Sequence, residues 1–243
     1  MSDDPVRGKL LLRHISCHWC TVCFLILEFY CHSSIPNRSK TMKPSHKGSA
    51  QIFKNPVLEQ LTRTHIAIPI SIFILIAAGL IAYGYAHGFI TVLSALGLFL
   101  MGWFLFTFVE YMAHRYVFHM DTDTEMKKSI QYTFHGNHHD FPKDKKRLAM
   151  PPIMSLLLAS FFFFLFRLLF GQFVFGILSG FLFGYALYLF VHYAVHAFAP
   201  PKNFLKTLWV HHAIHHYKDD ERAFGVSSPL WDWILGTMPR NTR

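Results

Sequence analysis

Four apolar runs constrain this chain more than any other feature: residues 66–86, 89–109, 153–170 and 173–191, with Arg167 the one charged side chain among them. Each reaches the roughly 18 residues at which an apolar stretch reads as membrane-spanning. A helix of about 21 residues is roughly 31 Å long, the thickness of a hydrocarbon core. Lipid offers the backbone no hydrogen-bond partners, so helix is the expected form of each run. The composition agrees: 52% of residues are hydrophobic and only 15% charged. The runs fall into two pairs, joined near His87 and Gly88 and near Gly171 and Gln172. Turns that short predict two antiparallel hairpins, which puts residues 1–65, 110–152 and the carboxyl-terminal segment on one side of the membrane. All but one of the 23 Lys and Arg lie in those three segments. Such asymmetry marks that side as cytoplasmic. It also assigns the net charge of +9 to an anionic leaflet rather than to nucleic acid. The expectation is an all-α membrane protein, with four transmembrane helices in two hairpins under a cytosolic, histidine-rich helical cap.

Eleven of the 17 histidines lie beyond residue 110, in four clusters. "HRYVFH" holds His114 and His119, and "HGNHH" holds His135, His138 and His139. "HYAVH" holds His192 and His196, and "HHAIHH" holds His211, His212, His215 and His216. Every cluster falls at or beyond the cytoplasmic end of an expected helix, so the plan gathers them at one membrane face. His192 and His196 are four apart and share a helix face. His135, His138 and His139 are spaced i, i+3, i+4, as are His212, His215 and His216. His114 and His119 are five apart, about 140° round an ideal helix, so they need a bulge or a helix end to converge.

A lone histidine on such a face is ordinarily just packed or exposed, and the six upstream histidines are read that way. Crowded, unliganded imidazoles would instead leave buried nitrogens unpaired and depress one another's basicity. A metal resolves both problems, because neutral imidazole is a ligand for zinc, copper and iron. So many rings predict two metal ions. Glu110, Asp140, Asp144, Asp219, Asp220 and Asp232 stand near the clusters and are candidate hydrogen-bond partners for ligating rings. A metal transporter would place histidines midway along its helices, and the first three runs contain none. A zinc hydrolase needs an open metal position and a carboxylate base, and this many histidines exceeds its requirement.

"HRYVFH", "HGNHHDFPKDKKRLAMPP", "HYAVH", "HHAIHH" and "FGVSSPLWDWILGT" together resemble the fatty acid hydroxylase superfamily over residues 66–239. The nearest resemblance is to the fatty acid 2-hydroxylases. The extended "HGNHH" motif separates the chain from sterol desaturases and carotenoid hydroxylases of the same superfamily. The resemblance implies a ten-histidine dimetal centre with His114, His119, His135, His138, His139, His192, His196, His212, His215 and His216 as ligands. His211 is then an outer partner, beside Asp140, Asp144 and Asp219. It implies iron in the active form, zinc being able to occupy such sites, dioxygen as co-substrate, and hydroxylation at the alpha carbon of a fatty acyl chain, free or in a sphingolipid. Lys143, Lys145, Lys146 and Arg147 read as a basic interfacial face, with Arg147 the candidate clamp for a substrate head group. Trp209, Trp231 and Trp233 read as interfacial anchors.

Residues 1–65 form an amino-terminal extension and 240–243 a tail. The extension is too short for a b-type haem domain and lacks "HPGG", so electrons are expected from a separate protein; that points to a bacterial inner membrane, the endoplasmic reticulum being the other setting. All four cysteines, Cys17, Cys20, Cys23 and Cys31, lie in its first half. "CHWCTVC", with His14 and His18, resembles half a zinc site without its partner pair. The simpler expectation is that residues 1–41 are disordered or not native, with Met42 as the start. A signal peptide fits less well, because Glu28 breaks the apolar run there.

Overall fold

The computed structural model describes residues 44–240 apart from His46. The cysteine-rich stretch, the start expected at Met42 and residues 241–243 lie outside the described residues.

Helix α1 (Pro56–Leu61) is capped by Asn55, whose side chain accepts the amides of Val57 and Leu58. Helix α2 spans Ala67–Ala86 and α3 spans Val92–Ala113. A reciprocal box between Thr91 and Ser94 starts α3. Two segments of π-helix follow in the histidine region: His114–Phe118, and Tyr132–Gly136 between α4 (Glu125–Gln131) and α5 (Asn137–Asp140). Helix α6 (Pro152–Phe170) opens on a proline, whose missing N–H costs little in a first turn. It leads through a 3-10 turn, Gly171–Phe173, into α7 (Val174–Ala197). Gly171 has φ +58°, a conformation that favours glycine. Helices α8 (Lys206–Tyr217) and α9 (Leu230–Ile234) are the last among the described residues. The described residues contain no strand.

Among the described residues, three helical stretches are long and apolar enough to cross a membrane: Ala67–Ala86, Val92–Phe118 and Pro152–Ala197. The third comprises α6 and α7, and the chain reverses between them. Ser155 near the start of α6 hydrogen-bonds Tyr185 of α7 at 3.1 Å, while Phe162 packs on Phe181. Helices α3 and α7 outrun the apolar segments expected for them, ending at residues 113 and 197 rather than 109 and 191. Apolarity marks what lipid would require. Buried polar side chains such as His192 and His196 allow the helix to continue past it.

Helix α7 is the hub. Its packing against α2 is antiparallel: the Ser179 hydroxyl donates to Ala77 O at 2.8 Å, and Tyr185 meets Phe73 edge-on at 5.0 Å. Its packing against α3 is parallel, since a Cβ on Gly176 would meet Leu98 and one on Gly184 would meet Phe106, and it is backbone-close. A Cβ on Gly102 would lie 1.8 Å from Ile177 O, and one on Gly180 1.8 Å from Phe99 O. Small-residue contacts of this kind hold helices together where the surroundings are themselves apolar. Because α3 and α7 run the same way, His114 and the pair His192 and His196 emerge at one end of the bundle. The other segments converge there: Ser45 N donates to Asp140 O, Thr64 N to Lys146 O, and Lys143 Nζ to His196 O at 2.7 Å.

Candidate metal centre

The ten histidines singled out by motif divide into two sets of five. Group A comprises His114, His119, His135, His139 and His215; group B comprises His138, His192, His196, His212 and His216. Within each group one nitrogen from every ring lies within 4.8 Å of the others. Nine of the ten rings are buried and His119 is partly so.

Helix geometry explains which rings fall together. His114 and His119 span the first π segment, closed by His119 N donating to His114 O at 3.1 Å. The wider π turn brings rings five apart toward one face, which an α-helix would not do. His135 with His139, His192 with His196, and His212 with His216 are i, i+4 pairs, and each pair stays in one group. The i+3 members cross over: His138 joins group B and His215 joins group A. Each group is therefore two pairs plus one crossing ring. The groups adjoin, since the His139 and His216 rings stack at 4.2 Å. The i, i+3, i+4 spacing suggested a single shared stripe. A stripe on one helix says nothing about which neighbouring helix each ring faces.

The nitrogens approach closely. In group A, Nε2 of His135 stands 3.0 Å from His114 Nε2 and 2.9 Å from His139 Nε2. In group B, His192 and His138 meet at 2.9 Å and His196 and His212 at 2.8 Å, again through Nε2. Backbone carbonyls orient three rings by accepting from Nδ1–H: Phe224 O for His114, Arg222 O for His215 at 2.8 Å, and Leu148 O for His192 at 3.1 Å. A neutral ring that donates from Nδ1 carries a lone pair on Nε2. One hydrogen on His135 Nε2 cannot serve both its neighbours, and His114 Nε2 has none to offer, so at least one of those close pairs is left without a hydrogen bond. In addition, His215 Nε2 and both nitrogens of His216 are buried without a hydrogen-bond partner. An unmet buried polar atom costs about 1–3 kcal/mol.

The donor set fits a metal ion in each group. Two imidazoles at right angles with metal–nitrogen bonds of about 2.0–2.1 Å place their nitrogens about 2.9 Å apart, as found here. Burial first, and then neighbouring imidazoles, hold His135, His138, His139, His212 and His216 well below the ordinary histidine range, while His215 is lowered to about 3. Neutral rings with free lone pairs are the form that binds metal.

The outer candidates are placed as follows. His211 lies outside both groups and bonds Asp232 at 2.9 Å. Asp140 is buried in α5, and its backbone carbonyl accepts from Ser45. Asp144 sits 3.5 Å from Arg147 Nε and accepts the Lys146 amide. Asp219 pairs with Arg222 at 3.7 Å, the residue whose carbonyl orients His215. Asp220 is exposed. Arg147 turns inward, where its guanidinium pairs with Glu59. Glu110 takes the amides of Val226 and Ser227 rather than any imidazole. Sequence reasoning missed the carbonyls of Leu148, Arg222 and Phe224, because every residue carries the same carbonyl. It likewise missed Glu59, which has no histidine near it in the chain.

Helical bundle and paired imidazole groups together define a histidine-rich, membrane-type protein with two groups able to hold metal ions. Residues 99–237 match the family described as fatty acid hydroxylase, and the chain belongs to that family. It is 37% identical over 205 residues to a ceramide very long chain fatty acid hydroxylase of Schizosaccharomyces pombe, a match covering 80% of this chain and 57% of that protein. It is also 37% identical over 147 residues to the fatty acid 2-hydroxylase of Mus musculus, covering 59% of this chain and 40% of the mouse protein. The chain thus spans about two fifths to three fifths of these relatives. A solved structure described as full-length scs7p, with only its hydroxylase domain visible, superposes with a TM-score of 0.75 at 32% identity over 82% of this chain and 76% of that one.

Proposed function

We propose that this chain is a membrane dimetal oxygenase that hydroxylates the 2-position of fatty acyl chains, free or within a sphingolipid. The observation that carries the reading is the division of ten mostly buried imidazoles into two adjacent groups of five. The names of the relatives supply the substrate class. In this reading the ten histidines hold two metal ions, iron in the active form and zinc possible in purified protein. When bound, the metals supply dioxygen activation: one oxygen atom enters the C–H bond at the alpha carbon. The other leaves as water, with two electrons from a separate electron-transfer protein and two protons. The chain's own part is to keep the rings neutral and converged, to fix His114, His192 and His215 through backbone carbonyls, and to exclude water by burial. The guanidinium of Arg147, the candidate head-group clamp, is held by Glu59 and Asp144.

The hydroxylase domain, residues 66–239, is taken to cross the membrane four times, α6 and α7 each spanning once, so that the bundle forms two hairpins. The histidine end then faces the cytoplasm as a cap, in a bacterial inner membrane or the endoplasmic reticulum. The basic residues support that side, and the same lysines and arginines attend lipid rather than nucleic acid.

Lipid mass spectrometry of cells with and without the protein is the test. A 2-hydroxy acyl species that requires dioxygen and vanishes in both His138→Ala and His212→Ala is the expected result. Turnover without dioxygen would end the oxygenase reading, and product surviving either substitution would end the assignment of the site.

A further inference from the structure

The segment from Arg222 to Ser227 is a backbone saddle over group A. Its five amides from 223 to 227 all bond to groups outside the segment. Ala223 N donates to Thr237 O at 2.9 Å. Phe224 N and Gly225 N donate to the two carboxylate oxygens of Asp232, at 2.9 and 2.7 Å. Val226 N and Ser227 N donate to Glu110 Oε1, both at 2.8 Å. On the opposite side, the carbonyls of Arg222 and Phe224 accept from His215 and His114. Gly225 is required here, because a Cβ would lie 2.1 Å from Ser228 O and 2.9 Å from Asp232 Oδ2.

One peptide unit has a special place. Phe224 C=O and Gly225 N–H belong to the same amide. Its N–H points at the Asp232 carboxylate and its C=O at His114 Nδ1. Hydrogen bonds in such a chain polarise one another. An anion on the N–H side enriches the carbonyl oxygen, tightens its bond to Nδ1–H and makes Nε2 a stronger donor. Carboxylates commonly do this by touching a ligand histidine directly; here a peptide carries the effect. Asp232 is wholly buried, and its other bonds, from His211 and from the Thr237 hydroxyl at 2.7 Å, favour the ionised form. The other acid bonded to the saddle, Glu110, serves the next two amides, so it steadies the saddle without joining this relay. In group B, His192 leans on Leu148 O at the longer distance of 3.1 Å.

We propose that Asp232 is a positioning residue that acts on group A through the Phe224–Gly225 peptide, making His114 a stronger ligand and group A the tighter of the two metal positions. The proposal rests on the dimetal reading, and its test separates the two. Full-length protein in detergent, stripped with a chelator, is titrated with zinc against a chromophoric competitor. Wild type takes up two equivalents of unequal affinity, and His114→Ala removes the tighter one. Asp232→Asn weakens the tighter equivalent about 10- to 100-fold, the range for outer partners of ligands, and moves the weaker one less than twofold. Glu110→Gln lowers the thermal midpoint yet leaves the affinity ratio in place. Equal weakening of both equivalents by Asp232→Asn, no weakening, or the same selective loss in Glu110→Gln would overturn the relay. If Asp232→Asn does not fold, wild type decides: two equal affinities, or a tight equivalent that survives His114→Ala, would sink the proposal. Fewer than two zinc ions in wild type would count against the dimetal reading itself.

Discussion

Groups A and B share a plan, two histidine pairs and one crossing ring, but different parts of the chain brace them. The carbonyls that orient His114 and His215 come from the saddle at 222–227, which Asp232 and Glu110 hold from within the fold. The carbonyl that orients His192 comes from Leu148, in the loop after "HGNHH". That loop is pinned by residues preceding the first long helix: Glu59 pairs with Arg147, and Thr64 N donates to Lys146 O at 2.9 Å. Helix α1, which carries Glu59, has no buried residue, whereas Asp232 is wholly buried. Elements with few buried contacts open locally at lower cost. Two similar sets of rings can therefore differ in rigidity, because the difference lies in what stands behind the rings.

The joint common to both groups should give the largest effect. Gly102→Ala drives a Cβ to within 1.8 Å of the Ile177 carbonyl, and a backbone atom cannot swing aside. It should part α3 from α7, destroy both groups together and leave little folded protein, beyond the 1–3 kcal/mol usual for overpacking. Gly97→Ala, which meets nothing within 4 Å, should be neutral or gain up to about 1 kcal/mol of helix propensity. Melting in detergent with metal analysis checks both; a folded Gly102→Ala protein with both groups loaded would refute the backbone-close packing of α3 on α7. Next in size, His215→Ala and His138→Ala each remove the crossing ring of one group. Each should cost one bound metal, from different positions, and more hydroxylation activity than the roughly 100-fold that outer partners command. Loss of both metals from either change would mean that the groups bind as one unit.

Acid separates the rings from their braces. An unfolded histidine titrates near 6.5, while burial holds His215 near 3 and its neighbours well below the ordinary range. Between those values the unfolded chain binds protons that the folded chain refuses. Stability is therefore complete above about pH 6.5 and falls as pH drops, by up to about 1.4 kcal/mol per unit for each such ring. For Glu59, burial pushes the carboxyl up, but the Phe53 and Ile52 amides and Arg147 outweigh it, so the net shift is below the usual 4.5. Its contribution is intact above about 4.5 and is lost only as pH falls further. In a chelator-stripped sample the melting midpoint should fall steadily from pH 6.5 to 5. A flat midpoint across that window would contradict buried neutral imidazoles.

Much of this was legible in the sequence, and the remainder was hidden for physical reasons. Apolar runs announced the long helices because lipid-like length and composition leave one option. The ten rings that form the two groups were all named by motif. Their partition was not, since His138 and His215 are assigned by contacts between helices rather than by spacing within one. The five-residue gap between His114 and His119 required an irregularity, and a π segment supplies it. Arg147 read as part of a basic interfacial face and as the candidate head-group clamp, yet its guanidinium turns inward to Glu59, far upstream. The saddle was marked in the sequence by "FGVSSPLWDWILGT" and by Glu110 and Asp232, but as partners of ligating rings; in the fold the two acids hold the saddle's amides instead.

The smallest effect, and the sharpest test of the comparison, is expected from Glu59→Gln. The amide keeps an oxygen for the Ile52 and Phe53 amides, which both bond Oε2 at 3.0 Å. It removes the charge facing Arg147, whose guanidinium then has Asp144 alone, at 3.5 Å. The loop is still tied by Thr64 to Lys146 and by Lys143 to His196 O, so the fold should survive with a loss of about 1–2 kcal/mol. Leu148 O should drift from His192, weakening the group B metal by no more than about tenfold while group A holds. That is the mirror image of Asp232→Asn. If the braces are separate, the double variant should show the two losses summed to within about 0.5 kcal/mol, as for distant sites. A coupling larger than that, or a Glu59→Gln loss that falls on group A, would mean that one continuous frame holds both groups and that their difference lies in the rings after all.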